Sequence, residues 1–235
     1  MGALIIELIP VMWDDGKPSS HAVIVQNVTD SAEITSLFDS ITYSKGASIL
    51  RMLEKIVGSD KFRDGLRDYL SSNAFDVGNP SIFYNNLFTN ISGEEFMKSW
   101  LQEPNYPMLT VHLMNDENGT TISFNQSRFI ISNALDASKL NNDYRWKINV
   151  QCVLGENASD SNLIDQSNDT IEFFFDTQQE TQYFPDQFYT WVKCNRDFQG
   201  FFVTRYTSTL FSPWQSFSSI IELQPTVNIN RMKFV

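Results

Sequence analysis

Histidine and cysteine, two of the side chains that ligate zinc and activate nucleophiles, are few in this sequence. It has two histidines, His21 and His112, and neither lies in a His-Glu-x-x-His arrangement. A catalytic zinc ion usually takes three protein ligands on rigid elements. His112 alternates with apolar neighbours in MLTVHL, which predicts a strand residue, and His21 is predicted at a helix exit or on the surface. The sequence also has no glycine-rich phosphate loop and no Gly-x-Ser-x-Gly elbow.

Paired carboxylates and the two cysteines have structural interpretations. The pairs Asp14-Asp15 and Glu94-Glu95 are adjacent in sequence, so they point apart on a helix and indicate a solvated face. Cys152 and Cys194 are compatible with one disulfide or with two buried thiols. Because both states fit the sequence, the cysteines leave the redox compartment open.

One segment combines a tyrosine, a lysine and a glycine in front of a strongly apolar helix: SLFDSITYSKGASILRMLEKIVG, residues 36–58. A preorganised phenolic hydroxyl can stabilise the oxyanion of a tetrahedral intermediate more than it stabilises the ground-state carbonyl. Tyr43 is the candidate for that role; without further pattern, a core tyrosine with a satisfied hydroxyl is the simpler interpretation. Gly46 would permit close helix approach, and Lys45 would be a support or only a surface charge.

The elements that position this segment follow from helical apolar spacing between residues 31 and 103. This spacing predicts four helices: one at residues 49–57, one that starts at residue 59 or 60, one that starts at residue 79, and one at residues 94–101. Gly58 is the expected C-cap of the first helix, and Pro104 ends the last. The earlier run at residues 3–13, ALIIELIPVMW, is predicted to be a helix. It is shorter than the roughly 20 residues of a membrane span, so no span is expected here.

After residue 106 the apolar period changes to two, which predicts short strands. The runs are MLTVHL, TTISFN, YRWKINVQCVL, TIEFFF, FYTWVKC and GFFVTRY. Strands at such intervals indicate a small antiparallel sandwich, with a domain boundary near residue 104. The polar stretch from Gly155 to Thr170 is predicted to be an exposed connection.

Composition and charge exclude some classes of function. The 235 residues are 42% hydrophobic, which allows one large domain or two small ones. A net charge of −11 argues against a nucleic-acid partner, because phosphate binding needs clustered Lys and Arg. Six Asn-x-Ser/Thr sequons favour an extracellular or cell-surface glycoprotein; they begin at Asn27, Asn90, Asn118, Asn125, Asn157 and Asn168.

The tyrosine segment resembles a known family. The pattern Phe38-Asp39-x-Ile41-x-Tyr43-x-Lys45-Gly46-Ala47 is similar to the segment downstream of the zinc motif in aminopeptidases of the aminopeptidase N type, the gluzincins of peptidase family M1. Ser20-His21 and Ala32-Glu33-Ile34 upstream resemble further family elements, as do residues 100–107 and 200–206 downstream. Asn105 stands where the family usually has glycine. The resemblance covers about residues 4–207.

This resemblance implies an α+β fold with three parts. Residues 1–104 would form the helical C-terminal part of a thermolysin-like catalytic domain, residues 105–208 a small antiparallel β-sandwich, and residues 209–235 the start of a truncated C-terminal region. It also implies that Tyr43 is the transition-state tyrosine of a zinc aminopeptidase, a hydrolase that removes N-terminal residues from peptides.

The family's zinc ligands and general-base glutamate lie upstream of the matched region. The resemblance therefore implies zinc in the full-length family, none bound by this chain, and no activity of the chain alone. One alternative is a non-catalytic secreted module whose sandwich and glycosylated loops bind a partner or a full-length homologue. Another is an unproductive truncated product that exposes apolar helix faces.

Overall fold

A computed structural model describes residues 2–88, 91–131, 143–156 and 169–207, with the backbone alone for residues 2–7. It divides the chain into two compact units, Met1–Tyr106 with Gln199–Phe201 and Pro107–Phe198 with Phe202–Val235. The predicted connection at 155–170 falls mostly outside the described residues, as do the predicted region 209–235 and the sequons at Asn90, Asn157 and Asn168.

The first unit is helical. Its helices are α1 (Gly2–Asp15), α2 (Ser31–Ser36), α3 (Gly46–Val57), α4 (Ser59–Ser72), α5 (Pro80–Leu87) and α6 (Gly93–Leu101), and a π-helical turn at Ile41–Lys45 precedes α3. None of these described helices has both the length and the apolar character to cross a membrane.

The helix ends follow the capping residues. Gly58 ends α3 with a φ of +86°, a left-handed value that glycine adopts without a Cβ penalty. The side chains of Asn79 and Ser92 accept hydrogen bonds from the first turns of α5 and α6. The predicted helices are confirmed, and α4 begins at Ser59 directly after Gly58, which is also its N-cap.

The core of the first unit comes from every long helix except α4. Its buried side chains include Leu8, Val11, Ile49, Leu53, Phe83, Leu87, Phe96 and Trp100. Each such side chain contributes roughly 1.5–3 kcal/mol when it leaves water. In α4 no residue is buried, and the apolar side chains of Leu66 and Leu70 are exposed.

The second unit consists of two sheets. The strands are β1 (Tyr106–Asp116), β2 (Gly119–Phe129), β3 (Ile148–Gly155), β4 (Asp169–Phe175), β5 (Gln179–Pro185), β6 (Trp191–Cys194) and β7 (Val203–Tyr206). One sheet has the order β5-β2-β1-β7 and the other β4-β3-β6. The prediction of a purely antiparallel arrangement is wrong, because β1 and β7 pair in parallel from Met108–Val203 to Val111–Tyr206.

Alternation along the strands places large side chains in the interior of the second unit. Trp146, Ile148 and Val150 are fully buried, as are Ile122 and Phe124 of β2. The ring of Phe124 meets that of Phe173 in the other sheet edge-to-face, with 5.2 Å between the centroids. The α+β class is confirmed.

Candidate functional site

Tyr43 lies in the middle of the π-helical turn that leads into α3. The Asp39 carboxylate holds the start of this turn, because its Oδ1 accepts the backbone N–H groups of Ile41 at 2.9 Å and Thr42 at 3.1 Å. The Tyr43 N–H donates to the Asp39 carbonyl at 3.1 Å. Single π-helical turns in α-helical segments are frequent at functional sites.

The Tyr43 side chain is 61% exposed. The interpretation of Tyr43 as a core tyrosine is therefore wrong: the side chain is displayed rather than packed. The ring of Phe38, 66% exposed, lies 6.4 Å from it between centroids. The phenol is accessible to a molecule that approaches this face of the first unit.

Lys45, two residues further, is fully buried. Its Nζ lies 2.9 Å from Oδ2 of Asp15, also fully buried at the end of α1. For Lys45 the surface-charge alternative is wrong, and so is the solvated face predicted for Asp15, because each charge is neutralised by the other inside the unit. Asp14, the neighbour, does stay half-exposed and pairs with Lys17.

Asn105 completes this polar cluster. Its backbone N–H donates to Oδ1 of Asp15 at 3.0 Å, and its side-chain amide donates to the carbonyl oxygens of Asp15 and Lys17. With a φ of +65°, Asn105 occupies the left-handed region, which glycine adopts freely and asparagine tolerates. The geometry explains why glycine would also suit this position. Burial raises the pKa of the adjacent Tyr106, and the Asp15 charge adds to that effect.

His21 is tied to the same turn. Its Nε2 lies 2.9 Å from Oδ2 of Asp39, and its Nδ1 lies 2.8 Å from the Ala22 carbonyl. Burial works to raise the pKa of Asp39, but the hydrogen bonds from Thr42, His21 and Ile41 and the charge interaction with His21 outweigh burial, so the pKa is lowered.

Neither histidine belongs to a metal cluster. His112 lies in β1 of the second unit, as predicted, with its Nδ1 2.9 Å from Oγ1 of Thr207. Among the described residues, no three His, Cys, Asp or Glu side chains come close enough together to hold a metal ion. The described donor set therefore does not fit a zinc ion.

Cys152 and Cys194 form a disulfide in the second unit, which resolves the two states that the sequence left open. They lie directly opposite each other on β3 and β6. The Cys194 N–H donates to the hydroxyl of Tyr206 at 2.9 Å, and burial raises the pKa of Tyr206 to about 12. Disulfides persist in oxidising compartments.

The sequence made Tyr43 a candidate site residue, but it did not predict the buried cluster that Asp15 and Asn105 form with Lys45. The signal for Asn105 was present, since an asparagine at a position where glycine is usual indicates a left-handed backbone. No comparable signal marks Asp15, because its partner Lys45 is 30 residues away and their contact depends on the tertiary fold.

Comparisons with known proteins show which family the chain resembles in sequence. The family model described as Peptidase family M1 domain matches residues 3–100. Aminopeptidase A of Gloydius brevicauda is 35% identical over 225 residues, 93% of this chain and 21% of that protein. Glutamyl aminopeptidase of Bitis rhinoceros is 32% identical over 221 residues, which again cover 93% of this chain and 21% of that protein. Probable aminopeptidase 1 of Saccharolobus solfataricus is 37% identical over 145 residues, which cover 60% of this chain and 17% of that protein. The chain thus spans about a fifth of the length of these relatives.

Proposed function

This chain belongs to peptidase family M1, and we propose that it is the part of a zinc aminopeptidase that supplies the transition-state tyrosine. The observation that carries the proposal is the exposed phenol of Tyr43 on a turn held by hydrogen bonds to Asp39 and by the buried Lys45. An exposed side chain on a restrained backbone suits a residue that must contact a reacting group.

The chemistry of Tyr43 would be electrostatic. When water attacks the scissile carbonyl of a peptide, the carbonyl oxygen becomes an oxyanion. A phenolic hydroxyl aimed at that oxygen donates a hydrogen bond to it. Such a donor stabilises the developing charge more than it stabilises the neutral carbonyl, which lowers the barrier. Losing one such donor costs on the order of 100- to 1,000-fold in rate.

The metal would come from outside the described residues, since they offer no fitting donor set. For this reason the chain alone would not hydrolyse peptides, and its activity would appear only together with the zinc-binding part of a family member. In that context the substrate class is peptides with a free N-terminus.

The same proposal assigns the two units and the location. The first unit would be the helical C-terminal part of a thermolysin-like catalytic domain, and the second a β-sandwich, which the Phe124–Phe173 contact between its sheets supports. An extracellular or cell-surface location is supported by the Cys152–Cys194 disulfide and by the exposed sequon residues Asn27 and Asn118.

A chimera tests the proposal. The matching segment of Bitis rhinoceros glutamyl aminopeptidase is replaced by the corresponding residues of this chain, and release of 4-nitroaniline from a glutamyl anilide is measured. We expect an active chimera in which Tyr43→Phe lowers kcat roughly 100- to 1,000-fold with little change in KM.

Tyr183→Phe is the matched control, because Tyr183 is also exposed but lies on β5 of the second unit. It should leave kcat unchanged. An unaltered kcat for Tyr43→Phe in a well-folded chimera would refute the role of Tyr43. Separately, chelator-sensitive release of the chromophore by the purified 235-residue chain would refute the claim that it needs the zinc-binding part.

A further inference from the structure

We infer that Lys45, through its buried ion pair with Asp15, is a positioning residue for Tyr43. The buried clamp is defined here as Asp15, Lys45, Asn105 and the Glu103 carbonyl. Its catalytic consequence rests on the proposed function of Tyr43. The clamp itself is a property of the first unit that can be measured without activity.

The clamp holds the turn from the side opposite to Tyr43. Side chains two residues apart in a helical turn project to roughly opposite sides, since each residue advances by about 100° in an α-helix. Accordingly, Lys45 is fully buried while Tyr43 is 61% exposed. Fixing Lys45 on the inside therefore fixes the backbone from which the phenol projects on the outside.

Two carbonyl oxygens and one carboxylate surround the Lys45 ammonium in the clamp, the carbonyls as hydrogen-bond acceptors and the carboxylate as an ion-pair partner. The group has three N–H donors, and it faces Oδ2 of Asp15 at 2.9 Å, the Asn105 carbonyl at 2.8 Å and the Glu103 carbonyl at 3.2 Å. The Phe201 ring lies 5.8 Å from the same nitrogen. A buried ammonium with two hydrogen bonds and a buried counterion is restrained in position, because displacing it would weaken a charged hydrogen bond or the ion pair.

Asp15 is equally confined. While its Oδ2 faces Lys45, its Oδ1 accepts from the Ser20 hydroxyl at 2.6 Å and from the Asn105 N–H at 3.0 Å. The ion pair therefore links three segments, the end of α1, the π-helical turn and residues 103–105. This arrangement reduces the freedom of the turn before substrate arrives, which is the condition for efficient oxyanion stabilisation.

The first test measures amide hydrogen exchange of residues 41–46 in the full 235-residue chain. Lys45→Met removes the charge and keeps a similar length, and we expect exchange in this segment to rise about tenfold or more relative to wild type. Lys55→Met is the matched control, since Lys55 lies exposed in the last turn of α3. It should leave exchange at residues 41–46 unchanged.

A second variant separates positioning from general loss of stability. In Asp15→Asn/Lys45→Met no buried charge is left without its counterion, so this variant should unfold at a higher temperature than Lys45→Met. The inference predicts that exchange at 41–46 remains raised in it, relative to the amides of α6. If exchange at 41–46 rises no more than in α6, the clamp is only structural and the inference is wrong. Should Lys45→Met not fold, Asp15→Asn, which can keep the Ser20 and Asn105 bonds, gives the same comparison.

The catalytic consequence is tested in the chimera. We expect Lys45→Met to lower kcat roughly 10- to 100-fold with KM little changed, because misplacement of a catalytic group mainly affects the transition state. In a Tyr43→Phe background the same substitution should lower kcat little further. An equal drop in both backgrounds would contradict positioning of Tyr43. If Tyr43→Phe itself has no effect, the proposed function fails, and the exchange measurement still decides whether the clamp orders the turn.

Discussion

Distant segments are linked by different chemistry in the two units. In the first, the link nearest the candidate site is polar: Asp15, Lys45 and Asn105 meet through charge and hydrogen bonds. In the second, buried side chains such as Gln126 and Thr120 also make long-range hydrogen bonds, but the covalent link is the Cys152–Cys194 disulfide, and the two sheets meet through aromatic packing of Phe124 on Phe173.

The difference matters for how each unit fails. Removing one partner of a buried ion pair leaves an uncompensated charge, so the damage is concentrated at one place. Removing one side chain from an apolar interior leaves a cavity whose cost depends on how far its neighbours relax. The role proposed for Tyr43 would benefit from the first kind of link, because directional bonds fix an orientation as well as a distance.

The largest expected effect comes from the disulfide. Cys152 and Cys194 are 42 residues apart, and closing a loop of this length stabilises a fold by about 4 kcal/mol in the chain-entropy account. We expect Cys152→Ala/Cys194→Ala to lower the opening free energy of the β3 and β6 amides by about that amount. Hydrogen exchange resolved by segment measures it.

The amides of α3 and α6 provide the internal reference for this experiment. If the difference between the units is correct, they keep their wild-type opening free energies in the double variant. An equal loss in both units would show that they unfold together, and the contrast between their links would then have no consequence for stability.

Asn105 gives the next effect and isolates the polar link of the first unit. Asn105→Ala removes two side-chain hydrogen bonds. It also places alanine at a φ of +65°, where the Cβ atom causes strain and no side-chain amide compensates for it. The combined cost should be about 2–3 kcal/mol. Asn105→Gly loses the same bonds but relieves the backbone strain, so its cost should be about 1 kcal/mol.

Urea unfolding of the two variants measures the difference. A value of about 1–2 kcal/mol between alanine and glycine would be the left-handed strain alone, because the lost hydrogen bonds are common to both. Equal stability of the two variants would contradict the explanation of why glycine suits this position.

Predictability from sequence also differs between local and long-range features. The α3 helix and its Gly58 end were predictable because apolar spacing and a glycine cap act within a few residues. The β5 strand was missed, since QETQYFP has polar residues at most positions and its pairing with β2 supplies the information. The parallel pairing of β1 with β7 was missed because no local pattern encodes strand direction.

The candidate site shows the same limit. Tyr43 became the candidate through a resemblance of its flanking residues, but its exposure could not be predicted from the apolar pattern around it. The burial of Lys45 was missed because charged residues are rarely buried unless paired, and the pairing depends on Asp15 in another helix. The buried contacts beneath a candidate side chain can therefore be harder to predict than the candidate itself.

The smallest expected effect concerns Asp39, at the exposed end of the same turn. Its carboxylate is 37% exposed, so its ion pair with His21 is partly screened and should contribute about 0.5 kcal/mol. Asp39→Asn keeps an oxygen that can accept the Ile41 and Thr42 N–H groups and loses only the charge. We therefore expect it to be less stable than wild type by that amount at pH 6, measured by urea unfolding.

The pH dependence tests the origin of this difference. Because folding lowers the pKa of Asp39, the unfolded chain binds its proton more readily than the folded chain does. The stabilisation by the Asp39 charge is therefore complete at pH values above the pKa of the carboxyl in the unfolded chain, about 4. It is lost as the pH falls through the lower pKa of the folded chain. The difference in the free energy of unfolding between wild type and Asp39→Asn should disappear over this acid range. A gap that persists below it would mean that the side-chain amide fails to cap the turn, and that the carboxylate acts through geometry rather than charge.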